Sequence, residues 1–202
     1  AGVVREANGA TLPPVYQSSA FEQDTAADLE KIFENKAPGY CYTRVGNPTV
    51  TAFENRITKL EGGMASIACA SGMAAIMNAI LNIVRSGDEI VSSASLYGGS
   101  IDLFRDIEEF GIKTRYVKNN DWEAIEGAIN EHTRLLFAET IGNPCLDVTD
   151  VERLAEIAHA HKLPLILVTN GESVGIYATS GYNVGTGDML IRIMEEVPEA
   201  QV

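Results

Sequence analysis

The chain has 202 residues, 46% hydrophobic and 21% charged, which is enough material for one large domain with a substantial core. Its net charge of -13 excludes a surface built to grip nucleic acid or an anionic membrane, though it leaves room for a local basic pocket around a phosphate. Cys41, Cys69 and Cys145 are odd in number and widely spaced, which excludes a disulfide framework and a metal-ligand set and points to unpaired thiols in a reducing cytoplasm. The polar, Pro-containing start carries no signal-peptide pattern, and no run approaches the ~20 apolar residues of a membrane span.

Residues 1–24 read as an extended arm, because Pro13 and Pro14 forbid helix there. A short helix follows from Thr25 over "TAADLEKIFENK", then a loop, "KAPGYCYTRVGNPT", broken by Pro38, Gly39, Gly46 and Pro48. "TVTAFENRITKLEGG" is the next predicted helix, with Thr49 as its cap and Gly62-Gly63 as its stop. From residue 65 the pattern alternates. Strands are predicted at 65–70, 89–94, 114–119, 134–140 and 163–168. Between them lie helices from Met73, over "SIDLFRDIEEFG", over "DWEAIEGAINEH" with Asp121 as cap, and over "DVERLAEIAHAH" capped at Thr149 or Asp150. Strands separated by amphipathic helices predict an α/β fold: a mainly parallel sheet with helices on both faces. After Val168 the chain becomes Gly- and Thr-rich, with an expected strand at "SVGIYAT" and a final helix over "DMLIRIMEEV". Three regions follow: an arm and loop at 1–48, an α/β domain at 49–168 and a tail at 169–202.

Ligands of open α/β sheets sit outside the C-terminal ends of the strands. Ser71-Gly72-Met73 falls there. Gly72 permits close backbone approach, and the free N–H groups of the following helix suit a phosphate, unless the turn merely precedes a buried helix. Tyr97, followed by two glycines, either stacks on a planar ring or is an ordinary amphipathic surface residue. Asn143, in a Gly-Asn-Pro turn, either faces a ligand or closes the turn. His159 and His161 are two apart on a helix and so point to different faces, which does not suit zinc. His132 reads as a solvated helix end, and the Gly-x-Gly at 185–187 is too loose for a nucleotide loop.

Together "TLPPVYQSSAF", "YTRVGNPT", "EGGMASIACASGMAAI", "GDEIVSSASLYGGS" and "AETIGNPCLDVTDVERLAEIAHAHKLPLI" resemble the Cys/Met-metabolism family of pyridoxal-phosphate enzymes. Within it, "YTRVGNPT" with "AETIGNP" is most similar to O-acetylhomoserine sulfhydrylases. The resemblance spans roughly residues 5–166 and implies the first part of a fold type I large domain. It also implies the cofactor pyridoxal 5'-phosphate, an amino-acid substrate with sulfide, and γ-replacement of the acyl group of an O-acyl homoserine. Gly72 and Met73 would offer backbone N–H groups to the cofactor phosphate. Tyr97 would stack on the pyridine ring and assist proton movement at the leaving group, and Asn143 would bond the ring's phenolic oxygen. Tyr42 and Arg44 would reach the phosphate of a neighbouring subunit, so the arm and the Tyr42 loop would join a homo-oligomer. An Arg forks onto phosphate oxygens well; apart from the resemblance Arg44 is a solvated loop charge.

The family pattern then breaks. Its fifth strand continues Val-Asp-Asn-Thr, and that Asp keeps the pyridinium nitrogen protonated so that the ring acts as an electron sink. Here "LPLILVTNGES" puts Val168 at the Asp position. The family's Ser-x-Thr-Lys, whose Lys forms the Schiff base, has no counterpart: the lysines are Lys31, Lys36, Lys59, Lys113, Lys118 and Lys162, none after the fifth strand. The C-terminal domain, with the Arg that binds the substrate carboxylate, is also missing from these 202 residues. The expectation is therefore a chain of sulfhydrylase origin that is inactive alone. The alternatives are a truncated, non-catalytic α/β fragment that binds phosphate or associates with partners, and a fused or designed domain in which the tail completes the sheet.

Overall fold

The computed structural model describes residues 9–169 and, of the remainder, the backbone of Ser180–Val184 and Asp188–Ile191. The chain forms two compact units, residues 1–66 and 67–202.

In the first unit the arm is tied to the loop that follows α1 (Ala26–Phe33). Ala20 and Tyr42 form an antiparallel bridge, flanked by Phe21 N–H donating to the Cys41 carbonyl at 3.0 Å and Thr43 N–H donating to the Ser19 carbonyl at 2.9 Å. α1 begins one residue after the expected Thr25, which serves as its cap: the Thr25 hydroxyl accepts from the Asp28 N–H. α2 (Pro48–Leu60) is capped by Asn47 instead of the predicted Thr49. Pro48 takes the first helical position, where its missing N–H costs nothing, so the cap must precede it. Asn47 is buried; its side-chain oxygen accepts from the Thr49 N–H at 2.9 Å while its amide donates to the Tyr16 carbonyl at 3.0 Å. Gly62, at φ +61, follows the end of α2 as the sequence predicts.

The second unit is the α/β domain. Its elements are α3 (Gly72–Ile83), β1 (Glu89–Ser93), α4 (Gly98–Glu108), β2 (Lys113–Val117), α5 (Trp122–Ala128), β3 (Thr133–Glu139), α6 (Val151–Ala160), β4 (Leu165–Val168), β5 (Ser180–Val184) and β6 (Asp188–Ile191). The strand order is β2-β1-β3-β4-β5-β6, parallel from β2 to β5, with β6 antiparallel to β5. The α/β class, the mainly parallel sheet and the two helical layers therefore match the sequence reading. Alternation along the strands divides the core. Ile90, Leu135, Phe137, Ile166 and Val168 pack with α3 and α4, whereas Val91, Leu136, Ala138, Leu165 and Leu167 pack with α5 and α6. Phe104 of α4 meets Phe137 edge-on at 4.8 Å.

Two predicted elements differ. Among the described residues, 65–70 form no strand: Ala68 sits in a bridge, and "ASIACA" has just one β-branched residue with which to pack a pleated surface. The helix expected over "DMLIRIMEEV" is replaced over Asp188–Ile191 by β6, whose pairing with β5 overrides a weak apolar periodicity; residues 192–197 lie outside the described residues. The strand expected at "SVGIYAT" also lies outside them. Asp121 and Asp150 cap α5 and α6; Asp150, not Thr149, is the cap of α6.

At the opposite end of the sheet the buried Glu89 accepts from Arg115 and, at 2.7 Å, from the Asn130 amide. The Arg115 hydrogen bond and then that of Asn130 lower its pKa from an ordinary 4.5 to about 2. A carboxyl depressed by folding contributes stability that is present above its unfolded pKa and lost as pH falls through its folded one. The urea midpoint of the unmodified chain should therefore exceed that of Glu89→Gln near neutrality, and the gap should close as pH drops from 4.5 to about 2.

Candidate functional site

The distance from Ile83 to Glu89 leaves room only for a tight return, so α3 runs back along the sheet antiparallel to β1. This places its N-terminus at the edge where β1, β3 and β4 end. Ser71 is extended, at φ -158 and ψ 163, and its hydroxyl accepts from the Ala74 N–H at 3.1 Å. Its carbonyl accepts from the Ala75 N–H at 3.0 Å. The N–H groups of Gly72 and Met73 are left without an intrahelical acceptor, as the first turn requires.

Tyr97 is the N-cap of α4 but makes no side-chain capping bond. A carboxylate from another strand fills that role. Glu139, the last residue of β3 and 1% exposed, accepts from the Tyr97 N–H at 3.0 Å and from the Ser100 hydroxyl at 3.2 Å. The Tyr97 ring is half-exposed and lies along Gly99, where a Cβ would stand 2.5 Å from a ring carbon. Gly99 thus supplies the space that the ring occupies.

Asn143 is exposed, in a loop that runs from Thr140 to Thr149 and contains a cis Asn143-Pro144 peptide. The loop is closed by Gly142 N–H donating to the Asp147 carbonyl at 2.8 Å, by the Ile141–Val148 bridge and by the Thr149 hydroxyl donating to the Glu139 carbonyl at 2.6 Å. It is also stapled to the loop that leads to Tyr97: the Ser95 hydroxyl donates to Asp147 Oδ2 at 3.0 Å, and a Cβ on Gly142 would stand 2.8 Å from the Ser95 carbonyl oxygen.

The edge therefore carries Gly72, Met73, Tyr97 and Asn143, the last two on loops bound to each other. Tyr42 and Arg44 belong to the first unit, where the Arg44 guanidinium lies 5.4 Å from the Tyr42 ring centroid. Glu139, Ser95, Gly142 and Asp147 went unread in the sequence. The available signal was Glu139 itself, an acid ending the otherwise apolar run "LLFAE".

The charges at the edge select one helix. The N-termini of α4, α5 and α6 are occupied by the carboxylates of Glu139, Asp121 and Asp150, whereas α3 is capped by a neutral hydroxyl. An external anion would meet repulsion at three of these termini and N–H donors without an intrahelical acceptor at the fourth.

An open parallel sheet with an anion-ready helix at its C-terminal edge defines an α/β domain of the phosphate-cofactor-binding class. The chain belongs to the Cys/Met metabolism PLP-dependent enzyme family, which it matches over residues 2–186, beyond the segment whose resemblance is read from motifs. It is 44% identical to O-acetyl-L-homoserine sulfhydrylase of Corynebacterium glutamicum over 156 residues, 76% of this chain and 36% of that protein. It is 33% identical to L-methionine gamma-lyase of Fusobacterium nucleatum over 204 residues, 94% of this chain and 52% of that protein. The chain thus spans about half the length, or less, of these curated relatives. Among solved structures, a putative O-acetylhomoserine (thiol)-lyase from Campylobacter jejuni, with N'-pyridoxyl-lysine-5'-monophosphate, superposes with a TM-score of 0.85 at 25% identity, covering 96% of this chain and 52% of that one.

The family's cofactor is pyridoxal phosphate, and the residues described here fit one end of it. The α3 terminus suits the phosphate. The position that the resemblance assigns to an Asp beneath the ring nitrogen is Val168, 1% exposed in the cluster with Phe137 and α3, which offers no charge to a pyridinium.

Gly142→Ala should force the two stapled loops apart, since its new Cβ would meet backbone at Ser95. A loss of about 1–3 kcal/mol in urea denaturation is expected.

Proposed function

We propose that the chain is part of a pyridoxal-phosphate enzyme of sulfur-amino-acid metabolism, one that replaces the acyl group of O-acetylhomoserine with sulfide to yield homocysteine. These 202 residues hold the phosphate-gripping part of the site and are not catalytically competent by themselves. The observation that carries this reading is the N–H pair of Gly72 and Met73, without an intrahelical acceptor, on the helix with the neutral cap, beside the stapled loops of Tyr97 and Asn143. The 44% identity to the Corynebacterium sulfhydrylase, against 33% to the gamma-lyase, supports sulfhydrylation over elimination.

In this reading the backbone of Gly72 and Met73 binds the phosphate, Tyr97 covers the ring face and moves a proton at the leaving group, and Asn143 donates to the ring's phenolic oxygen. Tyr42 and Arg44 grip the phosphate held by a second copy of the chain, in a cytoplasmic homo-oligomer joined by the arm. The cofactor supplies the electron sink when bound. Within these residues nothing is assigned to anchor it covalently. The motifs that carry the resemblance end near residue 166, whereas the family match runs on to residue 186. Val168 favours the second reading, a non-catalytic fragment that binds phosphate or associates with partners, because an apolar side chain under the ring forgoes the sink.

The test is to add pyridoxal phosphate, dialyse, record the absorbance, reduce with borohydride and map peptides by mass. Reversible binding with no reduced adduct is the expected result. An adduct on one specific lysine would overturn the claim that the chain lacks a covalent anchor, and no binding at all would remove the cofactor reading.

The phosphate contact has its own variant. Ser71 is already in the extended conformation that a residue before proline adopts, so Gly72→Pro keeps the helix and deletes one N–H donor. Phosphate affinity should fall about tenfold or more by titration, the worth of one hydrogen bond to a charged group.

A further inference from the structure

Glu139 is a buried carboxylate that the roles above leave unused. It ends β3, is 1% exposed, and reaches into the first turn of α4, where it accepts from the Tyr97 N–H at 3.0 Å and the Ser100 hydroxyl at 3.2 Å. Ser100 is fully buried. The backbone behind Glu139 is fixed as well: its carbonyl accepts from the Thr149 hydroxyl at 2.6 Å, and Thr140 N–H donates to the Val168 carbonyl at 2.9 Å. The carboxylate is therefore a rigid peg planted in the central sheet. Tyr97 has no anchor of this kind through its own side chain, which is half-exposed and rests on Gly99.

Charge-assisted bonds from a fixed acceptor are stronger and more directional than neutral ones. A Tyr at a helix N-cap without a capping bond has little else to set its backbone direction. The same carboxylate fills the positive end of α4 and so withdraws that terminus from competition for an anion.

We propose that Glu139 is a positioning residue for the cofactor ring: it fixes the backbone of Tyr97 so that the phenol ring stands over Gly99 at the sheet edge, ready to cover a planar ligand. It acts on the ring and not on the phosphate, because α3 shares none of these bonds. This rests on the proposed cofactor site.

The test compares two probes on the full chain, pyridoxal phosphate and inorganic phosphate. Glu139→Ala should weaken pyridoxal phosphate about tenfold, the upper range for an aromatic contact, and leave inorganic phosphate within about twofold. Glu139→Gln, which keeps an acceptor oxygen in the same place, should restore most of the loss. Tyr97→Ala should cost as much as Glu139→Ala, and the double variant no more than either. Should Glu139→Ala not fold, Glu139→Asp keeps the charge but withdraws it from the Tyr97 N–H, and should lose ring affinity in the same way. The proposal is overturned if both probes weaken together, if the Glu139 and Tyr97 losses add, or if the Glu139 variants bind like the unmodified chain. An unmodified chain that binds phosphate but gains nothing from the pyridoxal ring also overturns it. An unmodified chain that binds neither probe overturns the cofactor site and this role with it.

Discussion

Burial on both faces of the central strands is the constraint on which the rest of the second unit depends. β1 and β4 are buried along their whole length, and β3 departs only at Arg134. Helices α3 and α4 cover one face, and α5 and α6 the other. A strand enclosed in this way can carry polar side chains cheaply only at its ends, where the backbone turns and partners become available. Glu89 and Glu139 obey this rule at opposite edges of the sheet. At one edge Arg115 and Asn130 answer the charge; at the other, the N-terminus of α4 does. One of these arrangements serves the register of the sheet, and the other shapes the edge where loops converge.

That edge is organised by charge as much as by shape. In a chain of net charge -13, an anionic ligand needs local donors that do not depend on surface lysines. Backbone N–H groups are such donors. Three helix termini hold acids of the chain's own, and the fourth has a Ser cap that satisfies one N–H and leaves those of Gly72 and Met73 without an intrahelical acceptor. A neutral cap is therefore functionally different from an acidic one, although both stabilise a helix to a similar degree.

The layers and most of the helix starts were legible in the sequence because they rest on local rules. Thr25 and Asp121 announce their helices, and the alternating strands and helices announce the sheet. Thr49 misled because it is a good capping residue one step inside the true start; Pro48 at the first helical position was the stronger sign. The hairpin of β5 and β6 was hidden because strand pairing is decided by a partner distant from any single window. In the candidate site, Gly72, Tyr97 and Asn143 could be named because each sits in or beside a recognisable turn. Glu139, Ser95 and Asp147 could not, because their meaning is a contact across 39 to 52 residues. A buried acid in an apolar strand says that a donor exists somewhere; it does not say which loop brings it.

Val168 shows how packing and chemistry compete for one position. It faces α3 with Phe137 and Ile166 and helps close the larger apolar cluster. A lone carboxylate there would lose hydration and gain no partner from Ile76, Ala79 or Phe137, a penalty of several kcal/mol by the usual measure of an unpaired buried charge. A bound pyridinium would supply the missing cation, so an Asp at this position ties the stability of the fold to occupancy of the site. A Val removes that dependence. It lets this part of the sheet pack on apolar contacts alone. The first N–H groups of α3 are independent of this choice, since they are backbone atoms fixed by the helix itself. The helix terminus and the Val168 position can therefore vary independently, one set by backbone geometry and the other by packing in the core.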